Sequence, residues 1–291
     1  MLAAVYLVLC HLLWATNNVA GRWLSSYLDP FTITAFRWLL AAPLYPLILG
    51  LGVVGRSRAY IGFRSLLLGL IGFTFFNYVL YASLSIAPAA LVGLAYGFTP
   101  VAIIVISTVA GESRPSRAEV VGVTLSTVGV VILFAWRGVT LSGALDVVGI
   151  LGGLLSSVLW AIYTVLQQRL YPDSDRAALT FASLTLSLPA TLLISTPWLL
   201  KAPISSLDLK AVLAIVWIAA MPGAVAYYMW NKAVAIVGSQ VAAPFSNLLP
   251  IFVAILGYLL LGERITLGDV AGGALIVAGS TIAMTARALK Q

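Results

Sequence analysis

A chain of 291 residues that is 62% hydrophobic and only 9% charged cannot cover a water-facing surface, because soluble domains carry about a quarter charged residues. Its mean hydropathy of +1.07 makes lipid the solvent, and continuous apolar runs of about 20 residues exclude the short alternating strands of a β-barrel. The net charge of +7 lies mostly between those runs, where it reads as membrane topology and not as a nucleic-acid surface.

Ten spans are predicted, at roughly 3–20, 32–51, 65–84, 89–109, 119–136, 147–167, 177–197, 211–231, 239–261 and 268–286. The first is expected to be a span and reads poorly as a signal peptide: it lacks a basic leader and a small-residue cleavage site, and Trp14-Ala-Thr-Asn-Asn interrupts it. Later breaks fall at Asp29-Pro30, Gly55-Arg56-Ser57-Arg58, Pro88, Glu112 to Pro115, Arg137-Gly138, Pro172-Asp173, Lys201 to Pro203 and Gly262-Glu263-Arg264. No linker is long enough for a soluble domain. The lone cysteine, Cys10, precludes an intrachain disulfide.

An even number of spans puts both termini on one side. With the termini inside, that side holds Arg56, Arg58, Arg64, Arg114, Arg117, Arg169, Arg176, Lys232, Arg287 and Lys290. The other side and span 2 hold Arg22, Arg37, Arg137, Lys201, Lys210 and Arg264, so 10 of the 16 basic residues stand against 6. The positive-inside rule therefore predicts cytoplasmic termini in a multi-pass plasma (inner) membrane protein.

Polar side chains inside spans are costly and face the bundle interior. In span 1, Trp14, Asn17, Asn18 and Gly21 share one helical face, and in span 6 Trp160, Tyr163, Thr164 and Gln167 repeat the spacing, with the tryptophans 146 positions apart (160 minus 14). Other spans contribute Asn77, Tyr78, Tyr81, Tyr96, Tyr227, Tyr228, Trp230, Asn231, Ser246 and Asn247. Aromatics offer flat apolar walls with a polar edge, and amides both donate and accept. That chemistry suits a zwitterion with an apolar side chain. Two blander readings compete: interfacial anchoring for Trp and Tyr, and helix–helix hydrogen bonds of about 1 kcal/mol for Asn. Tyr6, Tyr45, Trp198 and Trp217 read as belt residues.

Arg37 lies several residues inside span 2. It either draws a substrate carboxylate or, as the sequence favours, snorkels outward or caps carbonyls. His11 is the only histidine, a candidate for proton coupling or a structural donor. All nine acidic residues fall at span ends or in loops. Glu112 and Glu263, beside Arg114 and Arg264, read as surface ion pairs or helix caps. There is no Walker sequence, no metal-ligand cluster and no intramembrane His–carboxylate pair, so neither cofactor nor metal is expected. An intramembrane enzyme would have only His11 as its base. A channel would need a repeated charge ring or a carbonyl-rich loop, and none is present.

The chain repeats itself. Ile86 to Gly129 resembles Ile236 to Gly279, and Gly122 and Gly129 answer to Gly272 and Gly279. Pro100 followed by Gly111-Glu112 matches Pro250 followed by Gly262-Glu263. Five spans per half, 1–140 and 141–291, is an odd number, so the second copy is inverted, a hallmark of secondary transporters with a site between repeats. Pro100 and Pro250 are the candidate hinges. Gly93 with Gly97 and Gly149 with Gly153 permit close helix approach.

At Leu13-Trp14-Ala15, Phe36-Arg37-Trp38-Leu39-Leu40-Ala41, Pro100 with Gly111-Glu112, and Pro250 with Leu261-Gly262-Glu263-Arg264, the chain resembles the EamA family of the drug/metabolite transporter superfamily. The resemblance covers both halves. It implies an all-α, ten-helix exporter of small metabolites working by alternating access. Trp160-Ala-Ile-Tyr163, Trp230-Asn231 and Tyr96-Gly-Phe98-Thr-Pro100 resemble the aromatic amino acid exporters of that family. Aromatic or hydrophobic amino acids are therefore the expected substrates, with nucleosides, sugars or drug-like cations as alternatives. The expected partners are the lipid bilayer and a small solute. A monomer and a dimer are both compatible with the sequence.

Overall fold

The computed structural model describes all residues except 113, 139, 140, 142, 262, 263 and 289–291. Among the described residues, ten helices are long and apolar enough to cross a membrane: α1 (Leu2–Gly21), α2 (Pro30–Leu49), α3 (Phe63–Ile86), α4 (Leu91–Val109), α5 (Arg117–Trp136), α6 (Ala144–Leu170), α7 (Arg176–Leu199), α8 (Leu209–Val237), α9 (Ser239–Leu260) and α10 (Leu267–Thr285). All ten coincide with predicted spans, and no strand occurs among the described residues. The chain is an all-α integral membrane protein. A short helix, Gly52–Ser57, lies between α2 and α3.

Local chemistry sets the helix starts. Asp29 accepts from the Phe31 N–H with Pro30 at the first helical position. Asp175 and Asp208 cap α7 and α8 in the same way. At α5, Ser116 and Glu119 form a capping box. At α10, Asp269 accepts from the Thr266 N–H at 2.8 Å while Thr266 Oγ1 accepts from the Asp269 N–H at 3.2 Å. The two boxes are 150 residues apart. At their far ends, α4 and α8 meet Gly111 and Gly238, whose φ values of 84° and 87° are open mainly to glycine.

Helix packing has an exchange symmetry. α1 packs on α8 and α9, and α6 packs on α3 and α4; α2 packs on α8, and α7 on α3; α2 also packs on α7, and α5 on α10. Replacing each helix by the one five places away maps this pattern onto itself, consistent with two inverted five-helix repeats. In the α5–α10 pair, a Cβ added to Gly122 would meet the Gly279 carbonyl and one on Gly279 the Gly122 carbonyl. Gly129 and Gly272 are related in the same reciprocal way. The Gly93/Gly97 spacing serves close approach to Phe134 and Val130 of α5, and Gly149/Gly153 serves approach to Ala87, Val92 and Ala95.

Four of the helices are not regular. α3 widens into a π-helix over Leu70–Phe75 and α8 over Ala219–Val225. α4 turns at Gly97-Phe98 and restarts as Thr99–Val109. α9 passes through a 3-10 stretch, Ala243–Asn247, before Leu248–Leu261. Pro100 and Pro250 each lie in the first turn of the restarted segment, where a missing N–H costs little. Where α3, α6 and α8 converge with α1, the core is aromatic.

Candidate functional site

The two recurring tryptophans meet. Trp14 and Trp160 are edge-to-face with centroids 5.3 Å apart at 88°. Trp14 also contacts Tyr227 at 5.7 Å and Trp230 at 6.0 Å. Trp160 contacts Tyr163 at 5.4 Å, Tyr227 at 5.4 Å and Phe76 at 5.1 Å. Phe73 stacks on Tyr227 at 4.7 Å, and Trp38 meets both Phe73 and Tyr227 edge-on. These rings come from α1, α2, α3, α6 and α8, and edge-to-face pairs of this kind are each worth about 0.5–1.5 kcal/mol beyond burial. The rings thus form one closed, mutually packed cluster drawn from both halves of the chain.

Polar groups around the cluster serve the irregular backbone. A π-turn frees carbonyls from the i→i−4 ladder. The Pro222 carbonyl accepts from Trp14 Nε1 at 3.1 Å and from Arg37 Nη2 at 3.1 Å. Tyr227 donates its hydroxyl to the Gly72 carbonyl at 3.1 Å, and Asn77 donates to the Phe73 carbonyl at 2.9 Å. At the break in α4, Ser157 donates to the Ala95 and Tyr96 carbonyls at 3.3 and 3.1 Å.

Below the rings lies a second network. Asn231 donates to Tyr163 Oη and Thr180 Oγ1, both at 2.7 Å, and accepts from Gln167 Nε2 at 2.7 Å. Trp230 Nε1 donates to Thr164 Oγ1 at 3.2 Å. Arg176, buried at the start of α7, donates to the Gln167 and Pro172 carbonyls at 3.0 Å and to the Gln168 side chain. Asn231 and Gln167 are thus held by one another and by α7.

The remaining predicted residues fall in different places. His11 is buried against Trp14 and Trp230, and its Nδ1 bonds the Leu7 carbonyl at 2.6 Å, the geometry of a structural donor. Asn17 donates to Tyr81 Oη at 3.3 Å between α1 and α3. Asn18 is exposed. Tyr96 borders the cluster, 6.1 Å from Phe76. Tyr78 lies outside the cluster, donating to the Thr191 carbonyl at 2.7 Å and contacting Ser195 of α7. Asn247 donates to Ser126 of α5 at 3.3 Å. Pro100 and Pro250 sit at the breaks of α4 and α9.

Some expectations are corrected. Tyr45 is fully buried and stacks on Phe181 at 5.6 Å, because α7 covers the face that a belt residue would show to lipid headgroups. Arg37 does not snorkel: it is 3% exposed and caps a carbonyl. Glu112 accepts from Ser239 Oγ at 2.7 Å, joining the end of α4 to the start of α9; Glu263 lies outside the described residues. Trp38, Phe73, Thr180 and Pro222 were not singled out as site residues. Trp38 follows Arg37 in sequence and carried a signal; Thr180 and the Pro222 carbonyl carried none.

A cleft of about 420 Å³ opens at the end of the bundle where the chain begins, lined by Ala110, Gly111, Glu112, Gln168, Arg169, Gly238 and Ser239. Residues of both halves form it, directly beyond the Gln167–Asn231 network. At the same end Arg56 binds Asp175 at 2.6 Å. Partial burial pushes the Asp175 carboxyl up, but bonds from Arg56 and from the Ala178 and Ala177 N–H groups outweigh this and hold it below the usual carboxylate range. Among the described residues, no His, Cys, Asp and Glu group has a metal-binding arrangement.

The EamA-like transporter family model matches residues 1–135 and 147–285, and the chain belongs to that family. It is 23% identical over 270 residues to an uncharacterized transporter of Bacillus subtilis, covering 91% of this chain and 87% of the relative. It is 26% identical over 280 residues to an uncharacterized transporter of Archaeoglobus fulgidus, covering 94% of each. A probable amino-acid metabolite efflux pump of Salmonella typhimurium is 24% identical over 277 residues, covering 91% of this chain and 89% of the relative. A solved crystal structure superposes with a TM-score of 0.82 over 99% of each chain at 22% identity, a likeness of fold.

Proposed function

We propose that this EamA-like transporter is a secondary carrier that moves amino acids with aromatic or hydrophobic side chains outward by alternating access. Residues 1–140 and 141–291 form its two inverted repeats, and both termini face the cytoplasm of a plasma-membrane protein. The substrate site is the aromatic cluster, with Trp14, Trp160, Tyr163, Tyr227 and Trp230 as walls and Asn17, Asn77 and Tyr81 as polar groups along one side. Pro100 and Pro250 mark the bending points.

The observation that carries this reading is the contact between Trp14 and Trp160, equivalent positions of the two halves brought ring to ring at the centre of the bundle. A site on a pseudo-two-fold axis is reached from either side by rocking one repeat on the other. The cleft bounded by Glu112 and Arg169 supports an approach from the end carrying the chain start. The likeness to the probable amino-acid metabolite efflux pump of Salmonella typhimurium supports outward movement of an amino-acid-like solute, without regard to its side chain.

The test is flux into proteoliposomes of labelled Phe, Tyr, Trp, Leu and a panel of nucleosides, sugars and cations, with and without a pH gradient. Saturable flux of the amino acids, with KM raised in Trp160→Ala and Tyr163→Ala, is the expected result. Flux of another class alone would overturn the amino acid reading. His11→Gln is expected to leave the response to a pH gradient unchanged, since the ring is tied to its own helix.

A further inference from the structure

Arg37 is anomalous. Its guanidinium is always charged and carries five N–H groups, yet it is 3% exposed inside a membrane helix. It makes one hydrogen bond, to the Pro222 carbonyl, and its Nε is buried without a partner. Among the described residues no carboxylate pairs with it; the ion pairs are Arg56–Asp175 and Arg137–Asp269, both at helix ends. Arg176, also buried and also with an unpartnered Nε, differs in its other groups, which donate to the Gln167 and Pro172 carbonyls and to the Gln168 side chain, three bonds against the one of Arg37.

A buried charge without an anion is expensive, and ring faces offset only part of the cost. Those faces are present: the guanidinium carbon stands 4.5 Å from the Trp38 centroid and 6.0 Å from that of Tyr227. Both rings belong to the aromatic cluster. The one acceptor is also not dependent on Arg37, because Trp14 Nε1 already donates to the Pro222 carbonyl at 3.1 Å. The guanidinium can leave that oxygen without orphaning it.

We propose that Arg37 is the carboxylate anchor of the substrate site. This rests on the reading of the aromatic cluster as that site. Arg37 rests on the Pro222 carbonyl as a placeholder. An incoming carboxylate takes two of its N–H groups in a bidentate pair, and Trp14 keeps the carbonyl satisfied. The substrate class is thereby narrowed to monocarboxylates with an apolar or aromatic body, including zwitterionic amino acids. Solutes with no anionic group are disfavoured against their carboxylate counterparts.

The experiment is competition against labelled substrate in proteoliposome counterflow. L-Phenylalanine is compared with its primary amide and with phenylethylamine, and an aryl 2-oxo acid with its amide, in the wild type, Arg37→Lys and Arg37→Gln. The wild type is expected to prefer each acid over its amide by on the order of a hundredfold. Arg37→Gln loses that preference while flux of the amide persists, and Arg37→Lys keeps part of it. Equal competition by acid and amide in the wild type overturns the proposal, as does full discrimination retained in Arg37→Gln. The wild-type comparison decides alone if Arg37→Gln does not fold. Carriage of the oxo acid but of no amino acid would overturn the amino acid reading and still support the anchor. Carriage of neither acid overturns both.

Discussion

The α5–α10 contact gives a prediction whose sign changes along one helix. Gly129→Ala places a methyl group against the Gly272 backbone carbonyl, and Gly272→Ala places one against the Gly129 carbonyl. A carbonyl cannot rotate away as a flexible side chain can, so the helices must separate. Overpacking of this kind costs about 1–3 kcal/mol. Alanine also returns about 0.5–1 kcal/mol of helix propensity over glycine, leaving a net loss of about 1–2 kcal/mol. Gly273, the neighbouring residue, is the control: its added Cβ meets nothing nearer than Ile251 at 3.8 Å, so Gly273→Ala keeps the propensity gain and is neutral or stabilising. Gly129→Ala and Gly272→Ala should lose equally. Combined, they should lose less than the sum, because one separation relieves both clashes. The assay is thermal unfolding in detergent followed by size-exclusion recovery. At roughly 2–4 °C per kcal/mol, the contrast between Gly129→Ala and Gly273→Ala is several degrees. Equal melting of the two variants would refute the packing, and a large loss in only one of Gly129→Ala and Gly272→Ala would refute its reciprocity.

Asn231→Leu removes two donated bonds and one accepted bond. Three bonds at about 0.6 kcal/mol each put the loss near 2 kcal/mol, and a denaturation midpoint in mixed micelles unchanged from wild type would sink that account. Asp175→Asn tests the pH dependence at the Arg56 pair. A carboxyl held below its usual range stabilises the fold above its unfolded pKa of about 4 and loses that contribution as pH falls through the folded value. The wild type should therefore lose more stability than Asp175→Asn as pH drops below about 4. At neutral pH the two should differ by no more than about 1 kcal/mol, because the 54% exposed Arg56 side chain is screened by water. Parallel acid limbs would show that the pair is not responsible.

The spans were legible because a membrane imposes one strong rule, a run of apolar residues as long as the hydrocarbon is thick. Trp14 and Trp160 were legible as a pair because they recur by position, and they do meet. The capping boxes are also readable, as Ser116-x-x-Glu119 and Thr266-x-x-Asp269 in front of apolar runs. Partner identity was not legible. Helical periodicity put Asn77 and Tyr81 on one face, but Asn77 bonds its own helix while Tyr81 receives Asn17 from α1. Tyr45 sits four residues from the end of α2, so distance along the helix suggested a headgroup contact. The covering residue, Phe181, is 136 positions away (181 minus 45) and is brought there by tertiary packing.

The π-helices were the least legible feature, since no residue type marks an i→i+5 turn, and they organise the ties between the halves. The freed Gly72 carbonyl of α3 is taken by Tyr227, which belongs to α8. The freed Pro222 carbonyl of α8 is taken by Trp14 and Arg37, which belong to α1 and α2. Each half's irregular turn is therefore completed by side chains from the other half. Neither turn can change its register without releasing a donor across the boundary. By contrast, α5 and α10 are regular helices joined through backbone-close glycine contacts that allow no such exchange. The proposed rocking of one half on the other should accordingly pivot about the α5–α10 pair, with the π-turns of α3 and α8 and the breaks of α4 and α9 absorbing the bending.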